Sequence, residues 1–300
     1  MTRHFLTGVE VSSEELHALL GRAAELKRDP SASRALVQRT VALIFQKPST
    51  RTRVSFEVGV VQLGGHPLVL RSDELQLSRG ESVRDTAIVL SRHVDAIGLR
   101  TGSDELLEEL ADHAAVPVIN MLSPRHHPCQ ALADLMTLQE HFGRLEGLRL
   151  AYVGDGNNVA RSLAILGHRA GVEVAIASPK GYALDPGPMP EAGVAAAAMH
   201  TDPLVAVAGA DCVYTDVWVS MGDEDQADER RQALAAYRLD DALLDAAGPG
   251  AIALHCLPAH PGEEITSEVL YGDRQRIWEQ AENRRHAQKA LLELLIAGVR

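Results

Sequence analysis

The chain is poor in cysteine and has no long hydrophobic run. Its three cysteines, Cys129, Cys212 and Cys256, are scattered and form no C-x-x-C pair, as is typical of a reduced cytosolic protein. No apolar run reaches the roughly 18 residues that a membrane-spanning helix needs. The first five residues, MTRHF, lack the apolar core of a signal peptide. We therefore expect a cytoplasmic protein that has no membrane partner.

Basic residues are also in deficit. The 300 residues include 29 Lys and Arg against 41 Asp and Glu, a formal net charge of -12. This balance disfavours nucleic acid as the main partner, so any anion must bind in a local basic pocket. Hydrophobic residues make up 46% of the chain, which is ordinary for a globular protein, and the length predicts about two domains.

Strand and helix patterns alternate along the chain and then restart near residue 148. Such alternation predicts an α/β fold with two doubly wound domains, each a parallel sheet flanked by helices, joined by interdomain helices. We place the domains at 1–135 and 136–276, with a C-terminal helix at 277–300 that packs back on the first. The predicted strands are 41–45, 66–70, 95–99, 116–119, 148–153, 172–177, 211–214 and 251–254. The predicted helices are 12–27 (with a capping box), 51–63, 81–93, 103–113, 127–142, 158–170 and 277–297.

The most informative segment is the turn Ser49-Thr50-Arg51-Thr52-Arg53, which joins a predicted strand to a predicted helix. The first turn of a helix offers unpaired N–H groups and the positive end of a dipole. Three hydroxyls and two guanidinium groups add donors suited to a tetrahedral anion. The turn lacks the glycines and the Gly-Lys-Ser/Thr of a P-loop. A helix cap with solvated arginines is the structural alternative.

Further polar residues follow the other strands. Because sites in open parallel sheets lie past the carboxyl ends of the strands, these residues predict a cleft between the two domains. They are Arg100, 127–130 (HPCQ), 154–158 (GDGNN), 216–221 (DVWVSM) and 255–258 (HCLP). Taken singly, each has an ordinary structural interpretation, such as a solvated strand end or an inert core thiol.

Two cofactor interpretations are disfavoured. His255, Cys256 and His260 do not have the spacing of a common zinc site. The Gly154-x-Gly156 turn invites a dinucleotide, but position 159 is Val and no acid follows the strand 172–177. A turn that ends in two asparagines suits the carboxylate and amine of an amino acid instead. We therefore expect no metal and no cofactor.

Taken together, these segments resemble the aspartate/ornithine carbamoyltransferase family, and most closely its ornithine branch. The resemblance spans nearly the whole chain in order. S-T-R-T-R marks the superfamily, whereas D-x-W-x-S-M-G and H-C-L-P mark the ornithine branch. The matching segments are 45–56 (FQKPSTRTRVSF), 82–90, 127–138 (HPCQALADLMTL), 153–163 (VGDGNNVARSL), 216–221 (DVWVSM), 255–266 (HCLPAHPGEEIT) and 282–290 (ENRRHAQKA).

The resemblance implies that residues 1–135 bind carbamoyl phosphate and 136–276 bind ornithine. It implies transfer of the carbamoyl group to the δ-amine of ornithine, which gives citrulline and phosphate in arginine metabolism. Carbamoyl phosphate would contact Ser49, Thr50, Arg51, Thr52, Gln76, Arg100, His127, Gln130, Cys256, Leu257 and Arg284. Ornithine would contact Asn158, Asp216, Ser220 and Met221. Arg100, His127, Asp216 and Cys256 would be catalytic, with Gln76 supplied by a neighbouring subunit of a homotrimer or a multiple of trimers.

In the implied reaction a neutral amine attacks the carbamoyl carbon, and donors already in place stabilise the oxyanion. Asp216 and Cys256 are both candidates to accept the amine proton. Other amines remain alternatives, namely putrescine, an N-acylated ornithine or a specialised-metabolite amine. A catalytically silent paralogue and an NAD-dependent dehydrogenase are the alternatives from other classes. Departures from the family pattern are Gln46, Pro261, Asp223 and a short stretch between 178 and 211.

Overall fold

The structure is a computed structural model that describes residues 2–71, 74–187, 190–219 and 224–298. The chain forms two compact units, which are described separately below. Unit 1 comprises residues 1–136 and 282–300, and unit 2 comprises 137–281. The boundary between the units falls inside two helices. In the helix at 128–142 the chain passes from unit 1 to unit 2 after residue 136, and in the helix at 277–292 it returns to unit 1 after residue 281.

Unit 1 is built on a parallel four-stranded sheet in the order β2-β1-β3-β4. Its strands are continuous apolar runs where helices cover them, as expected for a buried parallel sheet. In the strand β1 every residue from Val41 to Phe45 is buried. The elements of this unit are α1 (Ser13–Arg28), β1 (Thr40–Phe45), α2 (Thr50–Gln62), β2 (His66–Arg71), α3 (Val83–Leu90), β3 (Ala96–Arg100), α4 (Asp104–His113), β4 (Val118–Leu122) and the start of α5 (Pro128–Phe142).

Local sequence accounts for several boundaries in unit 1. Helix α1 begins with the predicted capping box, in which Ser12 accepts the N–H of Glu15 and the Glu15 side chain accepts the N–H of Ser12. Strand β4 begins at Val118, two residues later than predicted. The preceding residue, Pro117, has no N–H to donate to the ladder, and its carbonyl accepts the N–H of Ile97.

Unit 2 is built on a parallel five-stranded sheet in the order β7-β6-β5-β8-β9. Two parallel sheets with flanking helices confirm the predicted fold class. The three-residue edge strand β7 is too short to give a sequence pattern, and it was not predicted. The elements are β5 (Arg149–Val153), α6 (Asn158–Arg169), β6 (Glu173–Ala177), α7 (Ala192–Ala196), β7 (Ala198–His200), α8 (Pro203–Val207), β8 (Cys212–Thr215), α9 (Ala227–Leu234), α10 (Asp241–Ala247), β9 (Ile252–His255), α11 (Ser267–Tyr271) and α12 (Ile277–Leu292).

The C-terminal helix is shorter than predicted. The α-helical hydrogen bonding of α12 ends at Leu292, and one π-helical turn at Glu293–Ala297 follows before Gly298 in a left-handed conformation. Glu293 is buried in that turn and its carboxylate accepts from Arg22 at 2.7 Å. None of the described helices combines the length and the apolar character that a membrane crossing requires.

Candidate active site

The turn between β1 and α2 forms the helix N-terminus that the sequence predicts. Ser49 is the N-cap, and its Oγ accepts the N–H of Thr52 at 3.3 Å. Arg53 pairs outward with Glu57 at 2.6 Å. The Arg51 side chain, by contrast, makes no hydrogen bond or ion pair with any other residue that the structure describes. Arg51 therefore has the donors and the position to bind an anion at the helix N-terminus.

Residues from distant parts of unit 1 meet at this turn. Arg284 of α12 is buried, and its Nη2 donates to Thr52 Oγ1 at 2.8 Å. Its Nη1 donates to Gln130 Oε1, and Gln130 Nε2 donates in turn to Asp134 Oδ1 at 2.8 Å. These contacts bring together three residues that the resemblance assigned to one ligand.

Arg100 and His127 complete a group of buried basic residues, here called the basic cluster (Arg100, His127 and Arg284). Arg100 lies at a register shift between β3 and β4, an irregularity that re-aims a side chain at the end of a strand. Burial, then the charges of Arg284 and Arg100, hold the pKa of His127 well below its usual value. His127 is therefore a neutral imidazole at physiological pH, able to donate a hydrogen bond without carrying charge.

In unit 2 a carboxylate forms the centre of a second group, the Asp216 cluster (Tyr152, Asn157, Asp216 and Cys256). Asp216 follows β8 and is buried. Its Oδ2 accepts from Asn157 Nδ2 at 2.7 Å, and its Oδ1 accepts from the Cys256 thiol at 2.8 Å. Burial, then the charges of Asp216, Asp155 and Cys256, raise the pKa of Tyr152 well above its usual value. The phenol is therefore neutral, and it donates to Asn157 Oδ1 at 3.2 Å.

The segment after β9 is held by His255. Its Nδ1 accepts the N–H of Leu257 at 2.8 Å, so the proton of the neutral ring is on Nε2, which faces Glu264 Oε1 at 3.1 Å. Leu257 has a left-handed φ of 61°, unusual for a bulky residue. Burial acts to raise the pKa of Glu264, but the hydrogen bonds from the His255 ring and from the His260 N–H more than offset it, and the pKa is lowered. Cys256 is thus presented beside Asp216 by a fixed backbone.

Family models match both halves of the chain. Residues 3–140 match the carbamoyl-P binding domain of aspartate/ornithine carbamoyltransferase, and residues 146–295 match its Asp/Orn binding domain. The chain belongs to the aspartate/ornithine carbamoyltransferase family. The predicted resemblance is thereby confirmed.

Relatives in the family share the full length of the chain. An ornithine carbamoyltransferase of Methanoculleus marisnigri is 52% identical, covering 99% of this chain and 98% of the relative. One of Acidothermus cellulolyticus is also 52% identical, covering 99% and 97%. Among solved structures, ornithine carbamoyltransferase from Pyrococcus furiosus is 46% identical with a TM-score of 0.93, covering 100% of this chain and 99% of that one.

Three potential metal ligands of this family member, Asp216, His255 and Cys256, lie within 4.8 Å of one another. Both ring nitrogens of His255 already have partners, and the thiol of Cys256 donates to Asp216. A cation would have to displace these hydrogen bonds, so the donor set is arranged for hydrogen bonding rather than for a resident metal.

The glycine turn after β5 has a structural explanation. A Cβ at Gly156 would lie 2.1 Å from the backbone N of Leu184, and the Gly156 N–H donates to the carbonyl of Tyr182 at 2.8 Å. Gly156 is required because the 182–184 segment packs directly on the turn. The pattern that invites a dinucleotide thus comes from close approach of the chain itself.

The remaining predicted residues are placed as follows. Gln76 is exposed in a short 3-10 helix, Gln76–Arg79, and Asn158 is the first residue of α6. Leu257 directly follows Cys256. Ser220, Met221 and Asp223 lie outside the described residues. The sequence predicts an amino-acid ligand at the asparagine pair 157–158 but assigns Asn157 no role of its own, although an asparagine directly before α6 is a helix-capping signal. Sequence reasoning missed Glu264.

Proposed function

We propose that this chain transfers the carbamoyl group of carbamoyl phosphate to the δ-amine of L-ornithine, giving L-citrulline and phosphate. The observation that carries the proposal is the basic cluster at the N-terminus of α2. Arg284 contacts Thr52 there, and the charges of Arg284 and Arg100 act on His127. Buried positive charge beside a helix N-terminus favours a phosphorylated ligand.

Carbamoyl phosphate would place its phosphate against the first turn of α2, where Ser49, Thr50, Arg51 and Thr52 supply donors. Its carbonyl oxygen would receive hydrogen bonds from Thr52, Arg100 and His127, and Gln130 would orient the amide end. Negative charge grows on the carbonyl oxygen during attack, so donors that are already in place stabilise the transition state. Gln76 and Leu257 would complete the contacts.

The amine would be held in unit 2 by Asn158, Asp216, Ser220 and Met221. The Cys256 thiol donates a hydrogen bond to Asp216, so of these two groups Asp216 is the one that can accept a proton. We assign Asp216 the role of receiving the proton of the δ-ammonium, with Cys256 orienting the amine. The neutral amine then forms the C–N bond and the C–O bond to phosphate breaks. The second amine proton passes to the leaving phosphate, which Arg51 stabilises.

A panel of amines tests this function. Purified protein is incubated with carbamoyl phosphate and either ornithine, putrescine or N-acetylornithine, and phosphate release is followed. We expect kcat/KM for ornithine to exceed that for putrescine by at least ~10³-fold, because polar groups built for an α-carboxylate would be left unpaired. Equal turnover of another amine contradicts the ornithine assignment. No phosphate release with any amine contradicts carbamoyl transfer itself.

We also propose that the chain works in the cytoplasm as a homotrimer or a multiple of trimers. Helix α2 exposes Val54 and Val61, which lie seven residues apart on one face, and α3 exposes Ile88 and Val89. Exposed apolar side chains of this kind support a subunit interface. Gln76 is exposed as well, as a residue must be if it serves a neighbouring subunit.

Mixed trimers test this assembly. Subunits that carry Gln76→Ala are refolded with subunits that carry Arg51→Ala, each inactive or weak alone. If sites are shared, about a quarter of the sites in an equal mixture inherit neither defect, and activity recovers toward that fraction. An active monomer in sedimentation, or no recovery on mixing, contradicts the shared site.

A further inference from the structure

Asn157 lies between a helix and the Asp216 carboxylate. It is the N-cap of α6, and its Oδ1 accepts the N–H of Val159 at 2.9 Å and that of Ala160 at 3.2 Å. The Tyr152 hydroxyl donates to the same oxygen at 3.2 Å. Three donors therefore face one end of the amide.

These donors fix which way the amide points. Turning it over would set its NH₂ against two backbone N–H groups and its oxygen against a carboxylate. The Nδ2 must therefore face Asp216 Oδ2, to which it donates at 2.7 Å. The other carboxylate oxygen of Asp216, its Oδ1, accepts from the Val217 N–H and the Cys256 thiol, each at 2.8 Å. Both carboxylate oxygens of Asp216 thus have assigned donors.

We propose that Asn157 is a positioning residue, whose amide holds the Asp216 carboxylate in the orientation that receives the substrate amine. This inference rests on the proposed function for the identity of the amine. The hydrogen bond of Asn157 to a buried charged acceptor is of the stronger kind. Its second role, the helix cap, does not require an amide, because Ser and Asp cap helices about as well.

Because the cap needs only an oxygen and the contact with Asp216 needs an amide, mutations can separate the two roles. Asn157→Ser keeps an N-cap oxygen but is too short to reach Asp216. Asn157→Asp keeps the cap and the size but sets a second carboxyl against Asp216. Asp240→Ser is the matched control in the same unit, since Asp240 is the N-cap of α10 and accepts the N–H of Leu243 at 2.9 Å.

Steady-state kinetics on the full-length protein are the first measurement. Asn157→Ser is expected to lower kcat/KM for ornithine by ~10-fold or more, while the KM for carbamoyl phosphate changes by less than about twofold. Asp240→Ser is expected to leave both values near wild type. A wild-type kcat/KM in Asn157→Ser overturns the proposal. An equal loss in both substrates at unchanged folding also overturns it.

The pH profile of Asn157→Asp is the second measurement. Two adjacent carboxyls share a proton until the pH rises above the raised pKa of the pair. While that proton is present, the introduced carboxyl can still donate to Asp216, and activity is partly kept. The ratio of wild-type to variant activity should therefore increase with pH, whereas the ratio for Asn157→Ser stays flat. A flat ratio for Asn157→Asp contradicts the contact.

Thiol alkylation gives a readout that is independent of the reaction. Cys256 is the partly exposed cysteine, whereas Cys129 and Cys212 are buried, and burial raises the pKa of Cys129 to about 12. The added carboxylate of Asn157→Asp disfavours the Cys256 thiolate, so iodoacetamide should react at least ~3-fold more slowly at pH 8. An unchanged rate overturns the proposal. If the wild type does not carbamoylate ornithine, the proposed function is wrong. The alkylation rate still tests the contact between Asn157 and Asp216 in that case.

Discussion

The basic cluster of unit 1 and the Asp216 cluster of unit 2 bury charges of opposite sign in different surroundings. In the basic cluster, positive groups are buried together, and burial, then the charges of Arg284 and Arg100, lower the pKa of His127 well below its usual value. Arg284 donates there to the neutral side chains of Thr52 and Gln130. In the Asp216 cluster, one carboxylate is surrounded by neutral donors that stabilise its charge.

This contrast separates two kinds of binding group. Buried positive charge beside a helix N-terminus attracts an anion, which suits a doubly charged phosphate. A buried carboxylate that accepts hydrogen bonds from fixed neutral donors is stabilised by their dipoles. Such a carboxylate can exchange a donor for a substrate ammonium. The predictions below test the contrast.

The largest expected effect is on the carboxylate. Asp216→Asn removes the charge and the proton acceptor while keeping the shape, and we expect kcat/KM with ornithine to fall by ~10³-fold or more. Binding of carbamoyl phosphate, measured by calorimetry, should be unchanged because most of its proposed contacts lie in unit 1. Asp211→Asn, at the opposite end of β8, is the control. Loss of carbamoyl phosphate binding in Asp216→Asn would remove the distinction between the two clusters.

The next effect is on the helix N-terminus. Arg51→Ala removes the guanidinium that we propose stabilises the leaving phosphate, and we expect kcat/KM to fall by at least ~10²-fold, the scale of one lost preorganised donor. Arg53→Ala is the control in the same turn, since Arg53 points outward to Glu57. Near wild-type turnover in Arg51→Ala would mean that the turn acts only as a helix cap.

A smaller effect is expected at Tyr152, which is linked to Asp216 through Asn157. Tyr152→Phe removes one neutral hydrogen bond to Asn157, whose Oδ1 keeps two backbone donors. We expect kcat/KM to fall by about fivefold, the equivalent of about 1 kcal/mol. Tyr214→Phe, in the ring that stacks on Tyr152, is the comparison. A loss as large as that of Asp216→Asn would assign the phenol a direct role.

The smallest expected effect is on stability in acid. Burial, then Arg285 and Lys289, lower the pKa of the His286 imidazole to about 4, against the opposing effect of Glu282. Below pH 6.5 the unfolded chain binds a proton at this position that the folded chain does not, so stability decreases as the pH falls toward 4.

Urea unfolding at pH 7 and pH 5 measures this linkage. His286→Gln cannot titrate, so its loss of unfolding free energy between the two pH values should be smaller than that of wild type by about 1–2 kcal/mol. The exposed His113→Gln is the control. An identical loss in wild type and His286→Gln would show that His286 is not buried as a neutral ring.

The sequence by itself determined the features that depend on neighbours along the chain. Alternating apolar runs and helix patterns predicted two parallel sheets, and both were found. The capping box at Ser12 and the N-terminus of α2 at Ser49 follow from side chains within three residues of each other. These features were predictable because short-range sterics and hydrogen bonding decide them.

Tertiary structure decided the features that depend on residues far apart in sequence. Arg284 reaches Thr52 across 232 positions, and Asn157 reaches Asp216 across 59. No local pattern encodes those distances, nor the burial that deprives His127 of its proton. The physical reason is that charge state and hydrogen-bond partners depend on the local dielectric and on contacts that exist only after the chain has folded.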